Sequence, residues 1–215
     1  GKILEAGCGL GYYVLALGRR GYEIEGVEWS RKAVDLIKQR YPKLKVGVGD
    51  VRKLAVSDGY YSGYISLGVA EHDKLGPKNY LDEAARVLSP GGVALISVPH
   101  FNILRRIKSR LGYYKGDHSG RDFYQFAFTE NEIDRFIQKA GFKIVDHFRY
   151  DAYKGIRDEL PFSRNLLSSI LAIPRVVSEP RKETESISLF TKRPWWLKLA
   201  DRYFGHMTMA ICIKR

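Results

Sequence analysis

Apolar and polar positions follow two rhythms along the first hundred residues. Short apolar runs at 2–6, 22–27, 44–48, 61–67 and 93–98 have the length of buried strands. Between them, sets such as Ala33, Val34, Ile37, Tyr41 and Leu81, Ala84, Ala85, Leu88 recur at helical spacing. A first helix is predicted from about Tyr12 to Arg20. The punctuation agrees: Gly21 and Pro42 stop helices, Ser30 can cap one, and Ser89-Pro90-Gly91-Gly92 reads as a turn. Strands alternating with helices at this interval predict an α/β fold, a mostly parallel, doubly wound sheet with helices on both faces. Farther on, Thr129-Glu130-Asn131-Glu132 fits a capping box ahead of Ile133, Phe136, Ile137 and Ala140. Strands are expected again at 142–148 and 207–213. Residues 99–125 and 151–205 interrupt the alternation and read as helical insertions, lid-like, in a single domain spanning 1–215.

Composition narrows the picture. The chain has 215 residues, 45% of them hydrophobic, which is enough for a packed core. No apolar run reaches the roughly 20 residues of a membrane span. The sequence starts at Gly1, almost directly inside a strand, so an upstream segment is expected. Cys8 and Cys212 are the only cysteines, too few for a disulfide framework, a zinc cluster or an iron–sulfur site. A reducing cytoplasm and no metal are therefore expected. A net charge of +12 points to an anionic partner: nucleic acid, an acidic membrane face or a phosphorylated substrate. A merely solvated basic surface stays open as the bland reading. Within 99–125, Leu104, Ile107 and Leu111 alternate with Arg105, Arg106, Lys108 and Arg110, the pattern of a basic amphipathic helix. The cluster Leu166, Leu167, Ile170, Leu171, a polar hinge at 178–182 and Trp195, Trp196, Leu199, Tyr203, Phe204 follow in the second insertion.

The chemistry gathers at predicted strand ends. Ile3 to Gly11 reads as strand, glycine loop, helix, with glycines at 7, 9 and 11. Such a loop lets a ligand approach the backbone and presents helix N-terminal N–H groups to it. Glu28, Asp50 and the Gly68–His72 segment also follow strands, and ligands of open α/β sheets bind at the carboxyl ends. A nicotinamide-binding fold would share the loop and the acid after the second strand. Its third glycine would fall at Tyr12, and here the pattern is G-x-G-x-G preceded by Glu5.

With these residues in place the chain resembles the class I S-adenosylmethionine-dependent methyltransferases, in the small-molecule branch grouped as type 11 or type 12/23 domains. The segments Leu4–Gly11, Gly26-Val27-Glu28, Gly49-Asp50-Val51, Gly68–His72 and Val87–Gly92 carry the resemblance. It implies a Rossmann-like sheet of seven strands whose last is antiparallel. It also implies that S-adenosyl-L-methionine is the cofactor. Gly7 and Gly9 would approach its methionine end, with Glu5 toward the amino group and Cys8, Leu10 and Gly11 as the other cofactor-binding residues of the loop. Glu28 would take the ribose hydroxyls, since a carboxylate accepts two donors. Asp50 and Val51 would recognise the adenine, with Trp29 and Leu10 packing against it and Gly68 nearby.

Methyl transfer needs a base only where the acceptor arrives protonated. His72, after the fourth strand, is the first candidate, because imidazole exchanges protons near neutrality; a loop or cofactor hydrogen bond is the alternative role. His100, after the fifth strand, is the second candidate. Asp117, His118 and Tyr124 are candidate pocket residues. The absence of an Asn/Asp-Pro-Pro-aromatic motif and of a suitably placed cysteine argues against DNA-base methylation. The leading expectation is transfer to a small-molecule or lipid-linked acceptor, such as a glycan or quinone precursor. The protein would then be cytoplasmic with peripheral contact to an anionic membrane. An RNA or protein methyltransferase and a non-catalytic cofactor-binding scaffold are the alternatives.

Overall fold

The structure, a computed structural model, describes residues 1–114, 123–160 and 195–215. The candidates Asp117 and His118, the 166–171 apolar cluster and the 178–182 hinge lie outside the described residues. Seven strands form one sheet: β1 (Ile3–Ala6), β2 (Ile24–Glu28), β3 (Val46–Val48), β4 (Tyr61–Leu67), β5 (Leu88–Pro99), β6 (Phe142–Tyr150) and β7 (Met207–Lys214). The order is β3-β2-β1-β4-β5-β7-β6. Strands β1 to β5 pair in parallel, and the β5-β7-β6 end is antiparallel. The described helices are α1 (Tyr12–Arg19), α2 (Arg31–Arg40), α3 (Lys78–Val87), α4 (Ile103–Arg110), α5 (Glu130–Lys139), α6 (Ala152–Glu159) and α7 (Trp195–Phe204), with a 3-10 turn at Ala70–His72.

The chain divides into two compact units, residues 1–99, 120–148 and 208–215 in one, and 100–119 with 149–207 in the other. In the first, side chains of successive strand residues go to opposite faces. Leu4, Tyr64, Ala94 and Ile96 join Leu81, Ala84 and Val87 of α3 and Ile133 and Ile137 of α5 in one cluster. Ile24 and Ile65 join Val14 of α1 and Val34 and Ile37 of α2 in the other. Apolar runs buried on both faces are what a parallel sheet requires.

Local signals hold where they were read. Ser30 Oγ accepts the Ala33 N–H at 3.3 Å and caps α2. Thr129 and Glu132 complete a reciprocal capping box on α5. The expected turn at 89–92 differs: β5 starts at Leu88 and continues through it. Leu88 pairs with Tyr61 while Val93 pairs with Gly63, so the Ser-Pro-Gly-Gly segment bulges out of the ladder without ending the strand.

Among its described residues the second unit holds α4, α6 and α7, and a polar cluster joins α4 to α6. Buried Arg105 of α4 donates from Nε to Glu159 of α6 at 2.8 Å and from a terminal nitrogen to the His100 carbonyl at 2.7 Å. Lys108 and Tyr114 also donate to Glu159, at 2.9 and 3.1 Å. The cations hold the Glu159 carboxyl below its ordinary range despite the opposing effect of burial. Helices α6 and α7 cross closely at Gly155, where a Cβ would stand 1.8 Å from the Phe204 carbonyl oxygen. Only glycine fits there.

Candidate active site

In an open sheet the crevice forms where the winding direction reverses, here between the carboxyl ends of β1 and β4. The loop after β1 supplies one side. Gly7 has φ 75°, and a Cβ there would lie 2.5 Å from a Val69 methyl on the loop after β4. The two loops therefore touch at a position that excludes any side chain.

Two carboxylates brace the glycine loop. Glu5, at the end of β1, is buried, and its Oε2 accepts the Val14 N–H at 3.1 Å. That N–H belongs to the first turn of α1, whose N-cap residue Gly11 has no side chain to satisfy it. Glu5 thus caps α1 from a distance. Burial raises its carboxyl to about 7, with the Val14 hydrogen bond opposing the rise. Glu28, at the end of β2, accepts the Gly9 N–H on one oxygen and the Ser30 N–H on the other, each at 3.0 Å. Each oxygen keeps a lone pair.

Asp50 follows β3 and is not a bare carboxylate. Arg52 clasps it through Nε (3.0 and 3.1 Å) and a terminal nitrogen (2.8 Å), while the Arg52 backbone N–H adds a bond at 2.9 Å. The same guanidinium reaches Asp73 at 3.2 Å. Hydrogen bonding to Arg52 holds Asp50 below the usual carboxylate range. Arg52 and Asp73 were not singled out from the sequence. An Asp-Val-Arg step after a strand was the available signal, but Asp73 lies 21 residues away and its partnership depends on the fold.

After β4, His72 Nδ1 lies 2.8 Å from the Tyr124 carbonyl oxygen, and the two rings meet edge to face at 5.3 Å. A carbonyl only accepts, so Nδ1 carries the proton in the neutral ring and Nε2 carries the lone pair. Glu71 Oε1 is 3.9 Å from Nε2. The Glu71 side chain is 2% exposed, and burial raises its carboxyl to about 7.

These elements open on a cavity of about 950 Å³, whose lining includes Gly7, Trp29, Asp50, Val69, His72 and Tyr124. Val51, Arg52, Asp73 and Tyr80 line it as well. Trp29 is 82% exposed, leaving its indole free for a flat ligand. Gly68 takes φ 71° at the end of β4. Cys8 is buried, its sulfur facing Gly26, and burial pushes the thiol up to about 12. Its side chain is therefore core. Leu10 lines a separate groove with Tyr12 and Leu36, away from the cavity. His100 is buried and belongs to the second unit. No group of three or more metal-ligating side chains occurs among the described residues.

Residues 4–96 match the family model described as a methyltransferase domain. A probable S-adenosylmethionine-dependent methyltransferase of Mycolicibacterium smegmatis is 27% identical over 145 residues, 67% of this chain and 52% of that protein. A ubiquinone biosynthesis O-methyltransferase of Alkalilimnicola ehrlichii is 27% identical over 151 residues, 65% of this chain and 59% of that protein. The chain thus spans about half the length of these curated relatives. In structure, it is similar to a chain of the complex between the Haloferax volcanii Trm112 methyltransferase activator and a putative methyltransferase. The TM-score is 0.62 at 19% identity, over 99% of this chain and 82% of that one.

Proposed function

We propose that this chain is a class I S-adenosylmethionine-dependent methyltransferase that transfers a methyl group to a small-molecule or lipid-linked acceptor bearing an ionisable hydroxyl. The observation that carries the reading is His72. Its Nδ1 is committed to the Tyr124 carbonyl, which leaves the lone pair on Nε2, and the residue lines a cavity with Gly7 and Asp50.

The residues present fit the cofactor. Glu5 is a buried carboxylate beside the glycine loop, suited to an ammonium group. Glu28 has one free lone pair on each oxygen, suited to a pair of hydroxyls. Asp50 is held ionised by Arg52, and exposed Trp29 offers a flat apolar face. When bound, S-adenosyl-L-methionine supplies a methyl group on a positively charged sulfur, already activated for displacement. The chain then has to align the acceptor and exclude water. His72 Nε2 takes the hydroxyl proton as the acceptor oxygen attacks. Glu71 stabilises the imidazolium that results.

The Alkalilimnicola relative's name, a ubiquinone biosynthesis O-methyltransferase, supports an oxygen acceptor on a quinone precursor. Among the described residues no helix is long and apolar enough to cross a membrane. A lipid-linked acceptor would then be met by peripheral contact with an anionic membrane face. An RNA acceptor, suggested by the net charge of +12, would show as a salt-sensitive mobility shift.

Calorimetry with S-adenosylmethionine, followed by labelled-methyl transfer to a panel of catechols and lipid extracts, tests the proposal. His72→Gln should lower kcat roughly 10²- to 10⁴-fold, the usual range for a general base, and leave cofactor affinity within about threefold. Unchanged turnover in His72→Gln would remove His72 as base, and cofactor binding without turnover on any acceptor would favour the scaffold reading.

A further inference from the structure

Two helices of the second unit carry the same unusual surface. On α4 and its C-cap residue, Ile103, Ile107 and Leu111 recur every four residues, with Arg106 and Arg110 three and seven residues after Ile103. On α7, Trp195, Leu199 and Tyr203 recur every four residues, with Lys198 and Arg202 three and seven residues after Trp195. Trp196 widens the second stripe. Positions four apart drift about 40° around a helix, so each set forms one narrow apolar strip with two cations along one edge.

Among the described residues both strips face outward. The seven apolar side chains are between 41% and 76% exposed, and the four flanking cations are exposed too. What these helices bury is polar: Arg105 on α4, and Asp201 on α7, which accepts the Ala152 N–H at 2.9 Å. This inverts the ordinary arrangement of a surface helix, whose apolar stripe faces the core. The exposed arcs carry no acid. Helix α4 has none, and the one acid of α7 is the buried Asp201.

An exposed strip of Trp, Tyr, Ile and Leu edged by Arg and Lys suits an interface that is apolar below and anionic above. Aromatic rings settle at the headgroup level, and cations pair with anionic lipid phosphates. A second copy of the same strip would instead bring cation to cation.

We propose that the exposed faces of α4 and α7 form a docking surface for an anionic phospholipid bilayer. The inference gives physical form to the lipid-linked reading above and rests on it for its purpose. Vesicle binding, however, is measured without cofactor or turnover. Its failure would leave methyl transfer untouched, and a failure of methyl transfer would leave bound vesicles to be explained.

The test is co-sedimentation of the full chain with phosphatidylcholine vesicles containing roughly 30% phosphatidylglycerol, against pure phosphatidylcholine. Anionic vesicles should retain the protein at least about tenfold better, with the advantage lost in high salt. Arg106→Glu/Arg110→Glu/Lys198→Glu/Arg202→Glu should abolish that advantage. Ile107→Ser/Leu199→Ser/Tyr203→Ser should weaken retention about tenfold. In Trp29→Phe, the remaining tryptophans are Trp195 and Trp196, and their emission should shift to the blue on anionic vesicles. Circular dichroism checks the multiple variants. The single changes Arg110→Glu and Trp195→Ser, both at exposed positions, stand in for any that misfold. Equal retention on neutral vesicles, or retention by the charge-reversed protein, overturns the proposal. So does retention that survives the apolar-to-serine changes but follows charge, which would assign the surface to a polyanion such as RNA.

Discussion

Cofactor binding should be coupled to a proton on Glu5, and the coupling can be sized. Burial raises this carboxyl to about 7, so near neutrality it is half protonated in the free protein. An ammonium group gains from Glu5 only when the carboxyl is ionised. The ionised fraction falls from about one half at pH 7.0 to about 3% at pH 5.5, and affinity should weaken about fifteenfold over that interval. That is roughly 1.6 kcal/mol at about 1.4 kcal/mol per factor of ten. The window stops short of α-amino titration near about 7.7–8.0, so the ligand's own ammonium stays charged. Isothermal titration at several pH values, in buffers of different ionisation enthalpy, reads the affinity and the proton release together. Glu5→Gln should bind more weakly at pH 7.0 and show a flat profile between 5.5 and 7.0. Glu71 rises to a similar value and is the control: Glu71→Gln should keep the slope. A slope that persists in Glu5→Gln, or binding that releases no proton at pH 6, would refute the assignment of the ammonium to Glu5.

Gly7→Ala forces a side chain onto φ 75° and against Val69 at 2.5 Å; it should cost about 1–3 kcal/mol in urea unfolding and abolish cofactor binding by calorimetry. Glu71 concerns stability. A folded carboxyl raised from 4.5 to about 7 holds its proton better than the unfolded chain. Its stabilisation is therefore full below pH 4.5 and lost as pH rises through 7, by up to about 3 kcal/mol. Glu71→Gln should flatten that fall in denaturant melts at pH 5 and pH 8. In the second unit, Arg105→Met leaves Glu159 with fewer partners inside the fold and should cost about 3–5 kcal/mol by thermal or urea unfolding. Arg52→Ala should change global stability by less than about 1 kcal/mol, because the pair is exposed. It should nonetheless raise the Asp50 pKa, which chemical-shift titration would follow.

Order along the chain was enough to read the sheet, because its signals are local. Strand length, helical spacing, the Ser30 cap and the Thr129–Glu132 box each depend on residues a few positions apart, and their sum predicts strands whose carboxyl ends carry Glu5, Glu28, Asp50 and His72. The turn at 89–92 shows where local reading stops: its residues are turn formers, yet pairing with β4 on both sides keeps them inside one strand. Partnership across distance was likewise settled only in three dimensions. Glu5 caps a helix nine residues on, Glu28 grips the Gly9 N–H, Arg52 joins Asp50 to Asp73, and Tyr124 chooses the tautomer of His72. Composition showed that 99–125 was basic and amphipathic, but amphipathicity alone is the same for a stripe that packs inward and one that faces water. Burial decided it: Arg105 and Asp201 went in, and the isoleucines and tryptophans stayed out, because Glu159 and the Ala152 N–H gave the buried charges their partners.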